Sequence, residues 1–135
     1  MKILAAIITL LMSINTVYTQ NLSDYQWNNR VLILSDATEE ETLSNIAFKK
    51  VTHQMEACDE RDVIVLFLRN NELTTPDGQK MSYKISLPTE FNGYLLIGKD
   101  GGIKMKEDYP LDLEKVFDRI DGMPMRRAEI RNKDY

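Results

Sequence analysis

The residues Val63-Ile64-Val65-Leu66-Phe67-Leu68 are consecutively apolar, and so are Val31-Leu32-Ile33-Leu34. A strand that covers a core on one side and meets water on the other alternates apolar and polar side chains. A strand covered on both faces has no need to alternate, and its sequence reads as a continuous apolar run. These two runs therefore call for a sheet with a layer on each face. Between them Leu43, Ile46, Ala47, Val51, Met55 and Cys58 recur at helical spacing, with Glu39, Glu40, Lys49, Lys50 and Glu56 on the other faces. Thr38 followed by Glu41 has the form of a capping box, in which the hydroxyl and the carboxylate each satisfy an early backbone N–H. The spacing predicts a helix of roughly twenty residues, ended by Asp59-Glu60-Arg61-Asp62. Strand, helix and strand then form a right-handed parallel β-α-β unit.

The C-terminal half has a different grammar. Tyr94-Leu95-Leu96-Ile97 reads as a third buried strand, and Asp100-Gly101-Gly102 as a turn. Ile103-Lys104-Met105-Lys106 alternates as an edge strand should, its lysines discouraging strand addition by another chain. A last helix starts with Asp112 as N-cap, Leu111 and Val116 are placed as a hydrophobic staple, and Leu113, Val116, Phe117 and Ile120 form the apolar stripe. Gly122 and Pro124 stop it. The charged tail from Arg126 to Tyr135 is left as a short helical turn or a frayed end. In the middle, Thr75-Pro76-Asp77-Gly78 marks a turn. Met81, Tyr83, Ile85 and Leu87 then alternate as a half-buried strand, with a short helix as the other reading. Trp27 is expected to cover the edge of the core. The expected fold class is α/β, β-α-β then β-β-α: a mixed sheet with helices on both faces, the layout of a thioredoxin-like domain.

The chain has 135 residues, room for one domain spanning residues 20–135 after a leader. Lys2 and the apolar run from Ile3 to Ile14 have the form of a signal peptide over residues 1–19. Val17-Tyr18-Thr19 offers acceptable residues before a cut at Gln20. The run is too short to cross a hydrocarbon core, which takes about 20 residues, so no stable membrane span is expected after cleavage. The expected location is exported, periplasmic or secreted. A net charge of −4 argues against nucleic acid and anionic membranes as main partners, since both favour a basic face. There is one cysteine, Cys58, and one histidine, His53, so no internal disulfide is available.

Three blocks carry a resemblance: Trp27-Asn28-Asn29-Arg30, Leu96-Ile97-Gly98-Lys99-Asp100-Gly101-Gly102, and Ile120-Asp121-Gly122-Met123-Pro124-Met125-Arg126. They resemble the signature blocks of a bacterial exported family catalogued as domain of unknown function 4174. That family is in turn similar to modules of coiled-coil domain-containing protein 80 and of sushi-repeat-containing proteins. The resemblance implies a thioredoxin-like fold and an exported setting, with no established activity.

Thiol chemistry on such a scaffold places a nucleophilic cysteine after the first strand, at the N-terminus of the next helix, where the helix dipole lowers its pKa. Ser35-Asp36-Ala37-Thr38 stands there instead, and Asn92-Gly93 occupies the place of the proline that faces such a site. Cys58 is the weak catalytic candidate, an atypical antioxidant or thiol enzyme being the alternative function. Its place near a helix C-terminus and beside Asp59 favours the protonated thiol, and its apolar stripe favours a packed structural role. No cofactor is expected. Neither acidic run, Glu39-Glu40-Glu41 or Asp59-Glu60-Arg61-Asp62, has the spacing of a calcium loop, so no metal is expected. Gly98-Lys99-Asp100-Gly101-Gly102 joins two strands and reads as a hairpin turn, not a phosphate loop. Arg30, Lys99, Arg126 and Arg127 are the candidate binding residues, a basic patch if the tail folds back beside the first strand. The alternative for them is salt bridging to Asp24, Asp36 or Asp121. The expected function is a non-catalytic binding or structural module whose partner is a protein or a small anionic ligand.

Overall fold

The computed structural model describes residues 20–38 and 40–133. The leader read in residues 1–19, and Glu39 of the expected helix start, lie outside the described residues. The apolar runs become the strands β2 (Arg30–Asp36) and β3 (Val63–Arg69), with β6 (Gly93–Ile97) beside β2. β2 and β3 are parallel with Leu32 opposite Val65, and β2 and β6 antiparallel with Leu32 opposite Leu96. β7 (Ile103–Asp108) closes one edge against β6 after the Asp100-Gly101-Gly102 hairpin. Three short strands, β1 (Gln20–Asn21), β4 (Glu72–Thr74) and β5 (Lys80–Ser82), extend the other edge. The order across the sheet is β1-β5-β4-β3-β2-β6-β7.

The helices are α1 (Thr42–Thr52), α2 (Met55–Glu60), α3 (Leu113–Asp121) and α4 (Pro124–Lys133). α3 is built as its sequence reads: Asp112 Oδ1 accepts from the Lys115 N–H at 3.1 Å, and Leu111 and Val116 are both buried in one cluster. The first helix differs from its expectation. It starts at Thr42, not after Thr38, and breaks at His53-Gln54 into α1 and α2. Its inward face carries Ser44, Ala47 and Val51, while Leu43, Ile46 and Met55 are exposed. The buried serine explains the rotated stripe. Asp36, at the end of β2, accepts from the Ser44 N–H at 3.1 Å and from the Ser44 hydroxyl, doing from the strand what an N-cap side chain would do.

The layering is also one-sided. Leu32, Leu34, Val65, Phe67, Tyr94 and Leu96 face a cluster completed by Ala47 and Val51 of α1, Cys58 of α2 and Val116, Phe117 and Ile120 of α3. Val31, Ile33, Leu66, Leu68, Leu95 and Ile97 face the second cluster, covered by Leu22 and Tyr25 of a single 3₁₀ turn and by Tyr83, Ile85 and Leu87. The second face thus carries a 3₁₀ turn and an irregular stretch where an α-helix could have lain. Only Lys80–Ser82 of the expected middle strand pairs, and the residues beyond continue its in-and-out alternation without a strand partner. Trp27, with φ 72°, is 62% exposed and does not cover the core edge.

Candidate functional site

α4 is a full helix, neither a single turn nor a frayed tail, and it brings the sequence blocks together. Arg30 opens β2, Lys99 follows β6, and Arg126 lies in the first turns of α4. Their relative exposures are 1%, 8% and 2%. Charges so fully removed from water have to be paired, and each is. The Arg30 guanidinium donates to both carboxylate oxygens of Glu129, at 3.2 and 3.3 Å, and to the Arg61 carbonyl at 2.9 Å. Lys99 Nζ lies 2.5 Å from Glu129 Oε1 and 2.8 Å from Asp62 Oδ2. Arg126 donates to Asp121 at 3.2 Å, to the Glu60 carboxylate at 3.0 Å and to the Glu60 carbonyl at 3.1 Å. Arg61 completes the group with two bonds to Asp121, at 3.1 and 3.0 Å, its guanidinium carbon 4.5 Å from the Phe117 ring centre.

Three of the four residues of the acidic run Asp59-Glu60-Arg61-Asp62 belong to this network. Of the salt-bridge partners expected from sequence, Asp121 is one. Asp36 belongs to the opposite end of β2 and pairs with Arg69 at 3.3 Å. Arg127 is exposed and makes no ion pair among the described residues. Sequence reading missed Glu60, Arg61, Asp62 and Glu129. The one local signal was spacing, since Glu129 sits three residues after Arg126 on the same helix face.

The electrostatics follow from these bonds. Burial alone would raise the Glu129 carboxyl, but hydrogen bonds from Lys99 and Arg30 outweigh it and hold the group below the usual carboxylate range. Burial likewise opposes ionisation of Asp121, and the bonds from Arg61 and Arg126 win there too. On Arg126 burial would favour the neutral form, yet Asp121 and Glu60 hold the proton more firmly than usual. The cluster is a preformed arrangement of cations with a planar carboxylate seated among them.

The other positions singled out by sequence are placed as follows. Cys58 is 0% exposed, and burial, reinforced by Asp59, pushes its thiol pKa up. At the end of β2, where a thiol enzyme of thioredoxin type would carry its nucleophile, Asp36 is committed to Ser44 and Arg69. The backbone N–H of Ala37 is taken by Asn92 Oδ1 at 2.7 Å. Among the described residues no group of three or more His, Cys, Asp or Glu side chains is placed to hold a metal ion. No helix among them is long and apolar enough to cross a membrane.

A family model described as domain of unknown function (DUF4174) matches residues 21–129, from the β1 strand to the carboxylate that Arg30 holds. The chain belongs to this family. No curated protein matches the sequence. The DUF4174 match takes in all three sequence blocks and, with them, Arg30, Lys99 and Arg126.

Proposed function

We propose that this DUF4174 chain is an exported, non-catalytic binding or structural module on a thioredoxin-like scaffold, with a protein or a small anionic ligand as its partner. The scaffold reading is supported by the order β3-β2-β6-β7, a parallel pair extended by an antiparallel hairpin. The observation that carries the non-catalytic reading is the state of the two places where thiol chemistry could reside. After β2 the backbone and side chains are bonded to one another, and the single thiol is sealed in the core on the helical side. Attack by sulfur requires an accessible thiolate, and Cys58 offers neither access nor a lowered pKa.

The test is the alkylation rate of Cys58 against pH, in folded and in denatured protein. Slow labelling that becomes fast only on unfolding is expected. Fast labelling of the folded protein, with a midpoint well below the free-thiol value of about 8.5, would make the thiol-enzyme alternative the better reading. The export reading rests on the apolar run from Ile3 to Ile14 behind Lys2, and N-terminal sequencing of the protein recovered from its host checks for a start at Gln20.

A further inference from the structure

We propose that Arg30, Lys99 and Arg126 form a carboxylate-binding site, and that Glu129 of α4 occupies it as an internal substitute for a ligand carboxylate. This deepens the binding-module reading by naming the site and the ligand chemistry. Three observations point to it.

The first is the geometry around Glu129. Arg30 meets it with two nitrogens on two oxygens, the fork arrangement that suits a planar carboxylate. Lys99 adds a third bond, and Arg126 approaches Oε2 at 3.8 Å.

The second is that the cations are held in place by other groups. Arg30 is anchored by the Arg61 carbonyl, Lys99 by Asp62, and Arg126 by Glu60 and Asp121. Without Glu129 the cluster keeps Arg30, Arg61, Lys99 and Arg126 against Glu60, Asp62 and Asp121. One buried positive charge is then in excess, and an anion is what such a pocket accepts. The buried Arg30 Nε–H has no hydrogen-bond partner even with Glu129 in place, so the donors of this guanidinium are not all satisfied from within the fold.

The third concerns α4 itself. The only buried residue it contributes is Arg126, and its apolar Met125 and Ile130 are exposed. The helix is seated by ionic contacts, and of these the Glu129 contact with Arg30 and Lys99 is one a competing carboxylate can take over while Arg126 keeps α4 on Glu60 and Asp121.

The experiment is chemical rescue. In Glu129→Ala the site is vacated, and Tm is followed by Trp27 fluorescence and circular dichroism while sodium acetate is titrated against sodium chloride at equal ionic strength. The expected result is a saturating rise in Tm specific to acetate. In the wild type the same rise is absent or needs at least tenfold more acetate, because Glu129 competes. In Glu129→Ala with Arg30→Met the response is lost. If Glu129→Ala does not fold in chloride, the yield of refolding in acetate is the readout, and recovery there carries the same meaning. Equal responses to acetate and chloride, or no recovery in acetate, overturn the proposal and leave a purely structural ion-pair network. A capped tetraglutamate peptide run beside acetate separates the sources of the carboxylate. Binding at least tenfold tighter than acetate assigns an acidic protein segment, and binding no tighter assigns a small organic acid. Labelling of Cys58 is unaffected in either case, so this proposal can fail while the non-catalytic reading stands.

Discussion

Glu129 holds Arg30 across 99 positions of sequence, through two hydrogen bonds that tie α4 to the first residue of β2. Both ends of this link are fixed elsewhere. Arg30 sits on the β2–β3 ladder opposite Val63, and Glu129 is three residues from Arg126, which is bonded to α2 and α3. The link therefore makes α4 part of the folded body, although the helix contributes almost no apolar surface to it.

Arg126→Met removes a buried charge and leaves Asp121 and Glu60 short of their partner. Breaking one side of a buried ion pair costs about 3–5 kcal/mol. Glu60 is exposed and Asp121 keeps Arg61, so about 2–3 kcal/mol is expected. Denaturant unfolding monitored by circular dichroism measures it. A loss below about 0.5 kcal/mol, the range of an ordinary surface substitution, would show that the network is not holding α4.

Acid should weaken the fold through the same groups. The Glu129 and Asp121 carboxyls lie below the usual range in the folded state, so the unfolded chain takes up protons first as pH falls. Their contribution is complete above unfolded carboxylate values of about 4 and disappears as pH drops through the depressed folded values. Tm is expected to be level near neutrality and to fall steeply only at the acid end. Glu129→Gln should start lower and fall less, and curves running parallel in the two proteins would remove Glu129 from the linkage.

Ser44→Ala tests the anchor at the start of α1. The Ser44 hydroxyl binds Asp36 and accepts from Arg69 at 2.6 Å, all within a largely buried pocket. Deleting it leaves Asp36 with fewer donors, at a cost of about 1–2 kcal/mol. Amide exchange should speed up first in α1, ahead of the strands, and uniform acceleration throughout the chain would contradict the local role.

Cys58 distinguishes packing from chemistry. Cys58→Ala trims a small hydrophobe from the core and should cost about 1 kcal/mol. Cys58→Ser places a hydroxyl where the surroundings are apolar and should cost more, about 1–3 kcal/mol. The order of the two is the check, read from urea midpoints.

Gly93→Ala should be among the most damaging single-atom changes. A Cβ at this first residue of β6 would collide with the Glu107 carbonyl of the paired strand and with the Phe91 ring. The backbone oxygen cannot swing aside, so a loss above about 2 kcal/mol is expected, measured by thermal unfolding.

How much of this was legible in the chain follows from the range of each signal. Continuous apolar runs located β2, β3 and β6, and Asp112 with Leu111 and Val116 located the start of α3, because those signals act within a few residues. The start of α1 was misread because Asp36, eight residues before Ser44, supplies the bond that Thr38 was expected to make. Ser44 then turns inward in place of Leu43 and Ile46, which no apolar pattern can announce. Arg30, Lys99 and Arg126 could be named from sequence, but their partners could not. A salt bridge between positions 30 and 129 leaves no periodic trace, and only the folded path of α4 selects Glu129 over Asp24.

The unequal covering of the sheet sets how this molecule breathes. On one side three helices with their own internal bonds pack over the strands; on the other, the stretch around Tyr83, Ile85 and Leu87 lies down side chain by side chain with no ladder beneath it. Lifting that stretch forfeits side-chain contacts and the Tyr83 hydroxyl's bond to the Asn71 carbonyl but breaks few backbone bonds, so its opening is expected to cost less than global unfolding. The two faces are therefore expected to differ in local opening, with amide exchange faster around Tyr83, Ile85 and Leu87 than in the strands beneath the helices.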